Sequence, residues 1–93
     1  MERRLGKFVW DIEREAANIA KHGVDFDTAS RVFLDDRRRV FTDSKHSVKE
    51  PRYFCIGKVK DKVITVRFTY RKRLIRIFGA GYWRKGKIYY EEE

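Results

Sequence analysis

Two histidines and a pair of arginines are the side chains here best suited to chemistry. His22 and His46 are the only histidines of the chain, and imidazole is the side chain that titrates near neutrality without strong perturbation. Arg67 and Arg76 carry planar, permanent charges that can hold a phosphate through two hydrogen bonds at once, which lysine cannot do. These types suit cleavage of an RNA phosphodiester by its own 2′-hydroxyl. A base takes the hydroxyl proton, cations stabilise the charged phosphorane and an acid protonates the departing 5′-oxygen. None of these steps demands a metal. Each residue also has a plainer alternative. Arg67 and Arg76 can be solvated sheet residues beside acidic neighbours, His22 can hydrogen-bond the last carbonyls of a helix, and His46 can be a turn-capping side chain among Asp43, Ser44 and Ser47. Lys21, Tyr70 and Tyr82 are the remaining candidates for proton transfer. Tyr82, Trp83, Arg84 and Lys85, with Lys21, combine rings and cations suited to unpaired bases and phosphate. Trp83 has the alternative role of anchoring a C-terminal element to a sheet.

Other chemistries are poorly supplied. There is no cysteine pair and no His-x-x-x-His spacing, and the lone Cys55 reads as a small core residue. Gly79-Ala80-Gly81 lacks the spacing of a nucleotide phosphate loop. No metal and no cofactor are therefore expected. No apolar run approaches the roughly 20 residues of a membrane span, and Met1-Glu2-Arg3-Arg4 is not followed by a signal-peptide core, so a cytoplasmic protein is expected.

Charge locates the binding surface. Residues 1–36 hold 6 Lys/Arg and 8 Asp/Glu, whereas residues 37–93 hold 17 and 6. A basic excess that is interleaved with aromatic residues is the electrostatic footprint of a nucleic-acid binder. The alternative is a generally basic domain whose charge only keeps it dispersed.

The elements that must position these residues follow from periodicity. At 93 residues the chain is expected to be one domain, 1–93. After a short apolar start at Phe8-Val9-Trp10, Asp11 reads as an N-cap, and Ile12, Ala16, Ile19 and Ala20 recur at helical spacing until Lys21-His22-Gly23 closes the helix. Asp25 caps a second helix carrying Phe26, Ala29, Val32 and Phe33. Strands are predicted over Arg39 to Thr42, Tyr53 to Lys60, Lys62 to Arg71 and Leu74 to Ala80, with tight polar connections between the last three. Alternation puts Ile64, Val66, Phe68 and Tyr70 on one face and Thr65, Arg67 and Thr69 on the other, and in the last strand it sets Arg76 and Phe78 opposite Ile75 and Ile77 in the same way. The expected fold is α+β: two N-terminal helices on one face of a four-stranded antiparallel sheet, a second face lined with arginine and aromatic residues, and a short C-terminal helix within Trp83 to Glu92, weakened by Gly86.

Read in order, Phe8-Val9-Trp10-Asp11, Lys21-His22-Gly23-Val24, Asp43-Ser44-Lys45-His46-Ser47, Arg52, Ile56-Gly57 and Ile75-Arg76-Ile77 resemble the BrnT family of ribonuclease toxins. The resemblance implies a cytoplasmic RelE-like protein, the toxin component of a type II toxin–antitoxin system. It implies a metal-independent endoribonuclease that inhibits growth, with RNA as substrate. It also implies a ribbon-helix-helix antitoxin partner like BrnA and a hetero-oligomer with it. The commonest family pattern continues with Ser-Ala-Arg and later Glu-Arg, where this chain has Gly79-Ala80-Gly81 and Gly86-Lys87. If the absent arginine binds phosphate in typical members, the segment Tyr82-Trp83-Arg84-Lys85 must take its place. The competing function is a basic nucleic-acid-binding or protein-interaction module without catalysis.

Overall fold

In the computed structural model of the chain, which describes residues 1–92, the strands are β1 (Glu2–Leu5), β2 (Phe8–Asp11), β3 (Arg39–Thr42), β4 (Tyr53–Val59), β5 (Lys62–Arg71) and β6 (Leu74–Gly81). The helices are α1 (Ile12–His22), α2 (Phe26–Arg31) and α3 (Arg84–Glu91), with short 3-10 turns at Val32–Leu34 and Ser44–His46. The fold is α+β, but the sheet has six strands in the order β1-β2-β6-β5-β4-β3. β3 to β6 form the antiparallel meander that alternation predicts.

The expected four-stranded antiparallel sheet is thus corrected at its N-terminal end. Phe8–Asp11 is a strand that pairs in parallel with β6, Phe8 against Ile75 and Val9 against Arg76. Glu2–Leu5 pairs antiparallel with it through a turn in which Gly6 holds φ +59°. Four residues are too few to display a period, and a pairing that spans some sixty residues leaves no local signal. In the β5–β6 turn, Lys72 and Arg73 both hold positive φ, 53° and 67°, a conformation usually given to Asn-Gly.

The core lies on the face of the sheet that carries Ile64, Val66 and Phe68. Against it pack Phe26, Ala29 and Val32, all fully buried. Phe33 sits edge-on to Phe68 with ring centres 5.0 Å apart, and Trp10 meets Phe26 edge-on at 6.0 Å. The approach of the 3-10 turn to β4 requires Gly57, since a Cβ there would lie 3.0 Å from the Val32 carbonyl oxygen. Cys55 is buried in this core, and burial pushes its thiol up to about 12.

α1 does not lie on that face. It runs along the edge of β6 and is held there by polar groups. Asn18 is its one buried residue. Its amide nitrogen donates to the carbonyls of Val24 and Ala80, 2.9 Å each, while its oxygen accepts the Ala80 N–H at 3.2 Å. Glu15 accepts the Trp10 indole N–H at 3.0 Å and the Phe26 backbone N–H at 2.8 Å, which joins β2, α1 and α2. The apolar positions at helical spacing consequently face outward: Ile12 is 38% and Ile19 45% exposed, and Ala16 and Ala20 are exposed with them. The expectation of two helices on one face therefore holds for α2 alone. The ends of α1 are as predicted, with the Asp11 carboxylate accepting the Glu13 N–H at 2.9 Å and Gly23 at φ +71° returning its N–H to the Ile19 carbonyl.

α3 covers part of the opposite face, where Gly86 meets Thr65; a Cβ at Gly86 would fall 1.9 Å from Thr65 Oγ1. Glycine is there to allow contact, whatever it costs in helix propensity. The far end of α3 is tied down by the Tyr90 hydroxyl, which donates to Asp35 at 2.6 Å. Asp35 also accepts the backbone N–H groups of Lys58 and Arg37, at 2.7 and 2.9 Å. Partial burial pushes this carboxyl up, but the donors from Tyr90, Lys58 and Arg37 outweigh it and hold it below its usual value. The hydrogen bond to Asp35, helped by partial burial, raises the Tyr90 phenol.

Two outcomes are expected in urea unfolding. Asn18→Ala strands both polar groups of Ala80 and should destabilise the fold by about 2–3 kcal/mol; a loss below ~0.5 kcal/mol would refute the edge-closing role. Tyr90→Phe should cost about 1 kcal/mol near neutrality. Asp35, with its lowered native value, contributes stability that is complete above the ordinary carboxylate range near 4 and lost as pH falls through the native value. Tyr90, with its raised native value, contributes below about 10 and loses that contribution as pH rises through the native value. The difference between wild type and Tyr90→Phe should therefore be flat from about pH 5 to 9 and shrink below about pH 4.

Candidate functional site

Alternation along β5 places Arg67, Thr69 and Arg71 on the face away from the core. On β6 the partner of Thr69 is Arg76, while Arg67 lies opposite Gly79. Arg67 and Arg76 thus share a face as diagonal neighbours. Between them the register shifts: Phe68 pairs with Ile77 and Arg67 with Gly79, so Phe78 is an extra residue, a β-bulge. Phe78 shares the outer face with Arg76, two residues away, and its ring stands among cations. The Arg52 guanidinium stands 4.2 Å from its centre and that of Arg14, from α1, stands 5.5 Å away. Asp11, Arg14, Arg52, Arg71, Arg76, Ile77 and Phe78 line a cleft of about 250 Å3.

This cleft holds its arginines without neutralising them all. Arg52 and Arg14 are positioned by the ring, an attraction of about 0.5–1 kcal/mol that leaves the charge available. Arg71 is paired with Glu50 at 2.9 Å, and Arg52 is 3.9 Å from the same carboxylate. Arg76, with 16% of its side chain exposed, pairs through Nη2 with Glu2 of β1 at 2.5 Å. Its buried Nε has no hydrogen-bond partner among the described residues. Glu2 is 56% exposed and free to swing away, so an incoming phosphate can replace its carboxylate on a guanidinium already in place.

The loop before β4 carries His46. Its Nδ1 lies 2.9 and 3.2 Å from the two carboxylate oxygens of Asp43. The loop is closed where the Asp43 N–H donates to the Arg52 carbonyl at 2.7 Å. Ser47 Oγ donates to the Asp43 carbonyl at 2.6 Å and accepts the Arg52 N–H at 2.9 Å. His46 and Arg52 are therefore held by one clasp.

The other candidates from the sequence gather elsewhere. His22 packs edge-on against Trp83, ring centres 5.1 Å apart, and the Trp83 ring lies over Gly81, 3.1–3.2 Å from where a Cβ would stand. Trp83 thus has the anchoring contact of its plainer alternative, whereas His22 packs on that ring and makes no side-chain hydrogen bond to the helix carbonyls among the described residues. A side chain at position 81 would compete with that ring for space, which explains why glycine and tryptophan occur together here. Lys21, Tyr82, Arg84 and Lys85 are exposed nearby, and the Lys62 ammonium stands 5.3 Å from the Tyr82 ring centre. Arg76 and Gly81 are five residues apart on β6, about 16 Å of extended chain. The structure thus separates Arg76 from His22 and the Tyr82–Lys85 segment. Arg14 and Arg52 join the cleft unannounced, through tertiary packing, whereas Phe78 lies on the face that alternation with Arg76 predicts. Arg71 follows Arg67 and Thr69 on the same face of β5.

A family model described as the ribonuclease toxin BrnT of type II toxin–antitoxin systems matches residues 10–86. The chain belongs to the BrnT family. The match takes in α1, the His46 loop, and β4 through β6 with the arginine cleft. BrnT membership makes this a toxin-family protein whose targets are RNA and an antitoxin. No curated protein matches the chain. No helix among the described residues is long and apolar enough to cross a membrane. Nor do three or more histidine, cysteine or acidic side chains gather among them as metal ligands.

Removing the carboxylate that covers Arg76 tests the cleft. Glu2→Gln should tighten binding of a labelled 2′-O-methyl oligoribonucleotide, which cannot be cleaved, about two- to fivefold, the scale of an exposed ion pair. Unchanged or weaker binding would show that phosphate does not compete for Arg76.

Proposed function

We propose that this BrnT-family chain is an active, metal-independent endoribonuclease with its site in the arginine cleft, neutralised by a ribbon-helix-helix antitoxin like BrnA. The observation that carries the reading is the grouping of Arg14, Arg52, Arg71 and Arg76 around Phe78, on the same clasp as His46. In the proposed reaction Arg76 and Arg52 hold the scissile phosphate, and Arg67, along the same face, meets the flanking one. His46 takes the proton from the 2′-hydroxyl. The 2′-oxygen attacks phosphorus, the bond to the 5′-oxygen breaks, and the proton returns through water to that oxygen. The products are a 2′,3′-cyclic phosphate and a 5′-hydroxyl. Guanidiniums held ready where charge builds up supply most of the rate, because they need not reorganise during the reaction.

Tyr82, Lys21, Arg84 and Lys85 fit a supporting role in this reading. They sit beyond the reach of the scissile phosphate and suit the flanking, unpaired part of the RNA, where ring stacking and phosphate contacts add affinity without setting the rate. Trp83 and His22 are assigned to packing.

The purified protein should cleave a labelled, unstructured RNA in EDTA, leaving a cyclic phosphate end. Arg76→Ala should lower the single-turnover rate about 100- to 1000-fold, and Arg76→Lys should recover little of it, since lysine lacks the fork. Loss of cleavage on chelation would overturn the metal-free mechanism. RNA binding without cleavage under all conditions would instead favour the non-catalytic module.

A further inference from the structure

The geometry points to Asp43 as the residue that positions His46 for proton transfer, an inference that rests on the reading of His46 as the base. The Asp43 side chain is 6% exposed and that of His46 49%. A carboxylate taken out of water is costly unless its oxygens find donors. Among the described residues, the imidazole is the one side chain that meets this carboxylate, with Nδ1 facing both of its oxygens. An ionised carboxylate only accepts, so Nδ1 carries the hydrogen and the lone pair is left on Nε2. The ring is thereby fixed as the tautomer whose basic nitrogen is the one turned from the buried acid. The backbone of the same residue ties the loop to Arg52, so Asp43 fixes both the tautomer and the place of the ring relative to the arginines. Ordering of this kind raises the rate by presenting the base in reacting geometry, without adding contacts to substrate.

Asp43→Asn tests this with little change of shape. The amide can donate to Nδ1, which would move the hydrogen to Nε2 and leave the outward nitrogen unable to accept a proton. Nitrogen-15 NMR of the wild-type protein should show the Nδ1–H tautomer at His46, and the variant should show the other. The kcat for RNA cleavage should fall about 100-fold with KM within about twofold, and adding Asp43→Asn to His46→Ala should cost nothing further. A wild-type ring found as the Nε2–H tautomer would overturn the proposal even if the variant failed to fold. So would a folded variant with wild-type kcat. Full-rate cleavage by His46→Ala would instead defeat the assignment of the base itself.

Discussion

The edge of β6 is closed by a side chain where β2 ends. β2 pairs with β6 over only two residues, Phe8 and Val9, and beyond them the chain turns into α1. The polar backbone of Ala80 would then be left in a buried place without partners, which no fold tolerates cheaply. Asn18 supplies both a donor and an acceptor to that one residue, as a neighbouring strand would, and its second amide hydrogen reaches Val24 in the α1–α2 turn. Glu15 works one helical turn earlier on Trp10 and Phe26. These two polar side chains set the line of α1. The line of α1 in turn brings Asp11 and Arg14 to one end of β6 and His22 to the other.

The same arrangement explains why α1 wears its apolar residues outward. A helix docked by hydrogen bonds at a sheet edge needs no apolar stripe for the purpose, and Ile12 and Ile19 remain accessible. At the arginine end, the Phe78 ring stands in a group of guanidiniums and orders two of them by contact with its π-system, whereas the acidic side chains that pair with Arg71 and Arg76 come from a loop and an outer strand. The site is thus built on the rigid middle of the sheet and covered by movable groups at its margin, a sound arrangement for binding a polyanion that must also be released.

Much of this was readable from local rules. Asp11 and Gly23 mark the ends of α1 because capping hydrogen bonds and a left-handed φ are decided within a few residues. The meander from β3 to β6 follows from alternation, which also put Arg67 and Arg76 on one face. The rest depends on contacts between distant residues. Nothing near Phe8 announces a parallel pairing with Ile75, so neither N-terminal strand shows in the local sequence. The spacing of Ile12, Ala16 and Ile19 gave the helix but not its orientation, which Asn18 decides through Ala80. Of the candidate site, Arg76 and His46 were legible as types suited to the chemistry. Phe78 was legible too, by alternation with Arg76, but the company of Arg14 and Arg52 was not, because they reach the ring from α1 and from the segment before β4, far off in sequence. The buried carboxylate behind His46 was visible as a motif, Asp43-x-x-His46, though its hydrogen bond needed coordinates.

In the proposed function RNA lies across the arginine cleft and not along the Tyr82–Lys62 end of the sheet. The most direct measurement is an NMR titration of the labelled protein with a short 2′-O-methyl oligoribonucleotide, following backbone amides and arginine side-chain signals. The largest shifts at low ligand ratio should fall on Arg14, Arg52, Arg76 and Phe78, with His46 among them. Shifts concentrated on Lys62, Tyr82 and Arg84, with the cleft arginines unmoved, would contradict it.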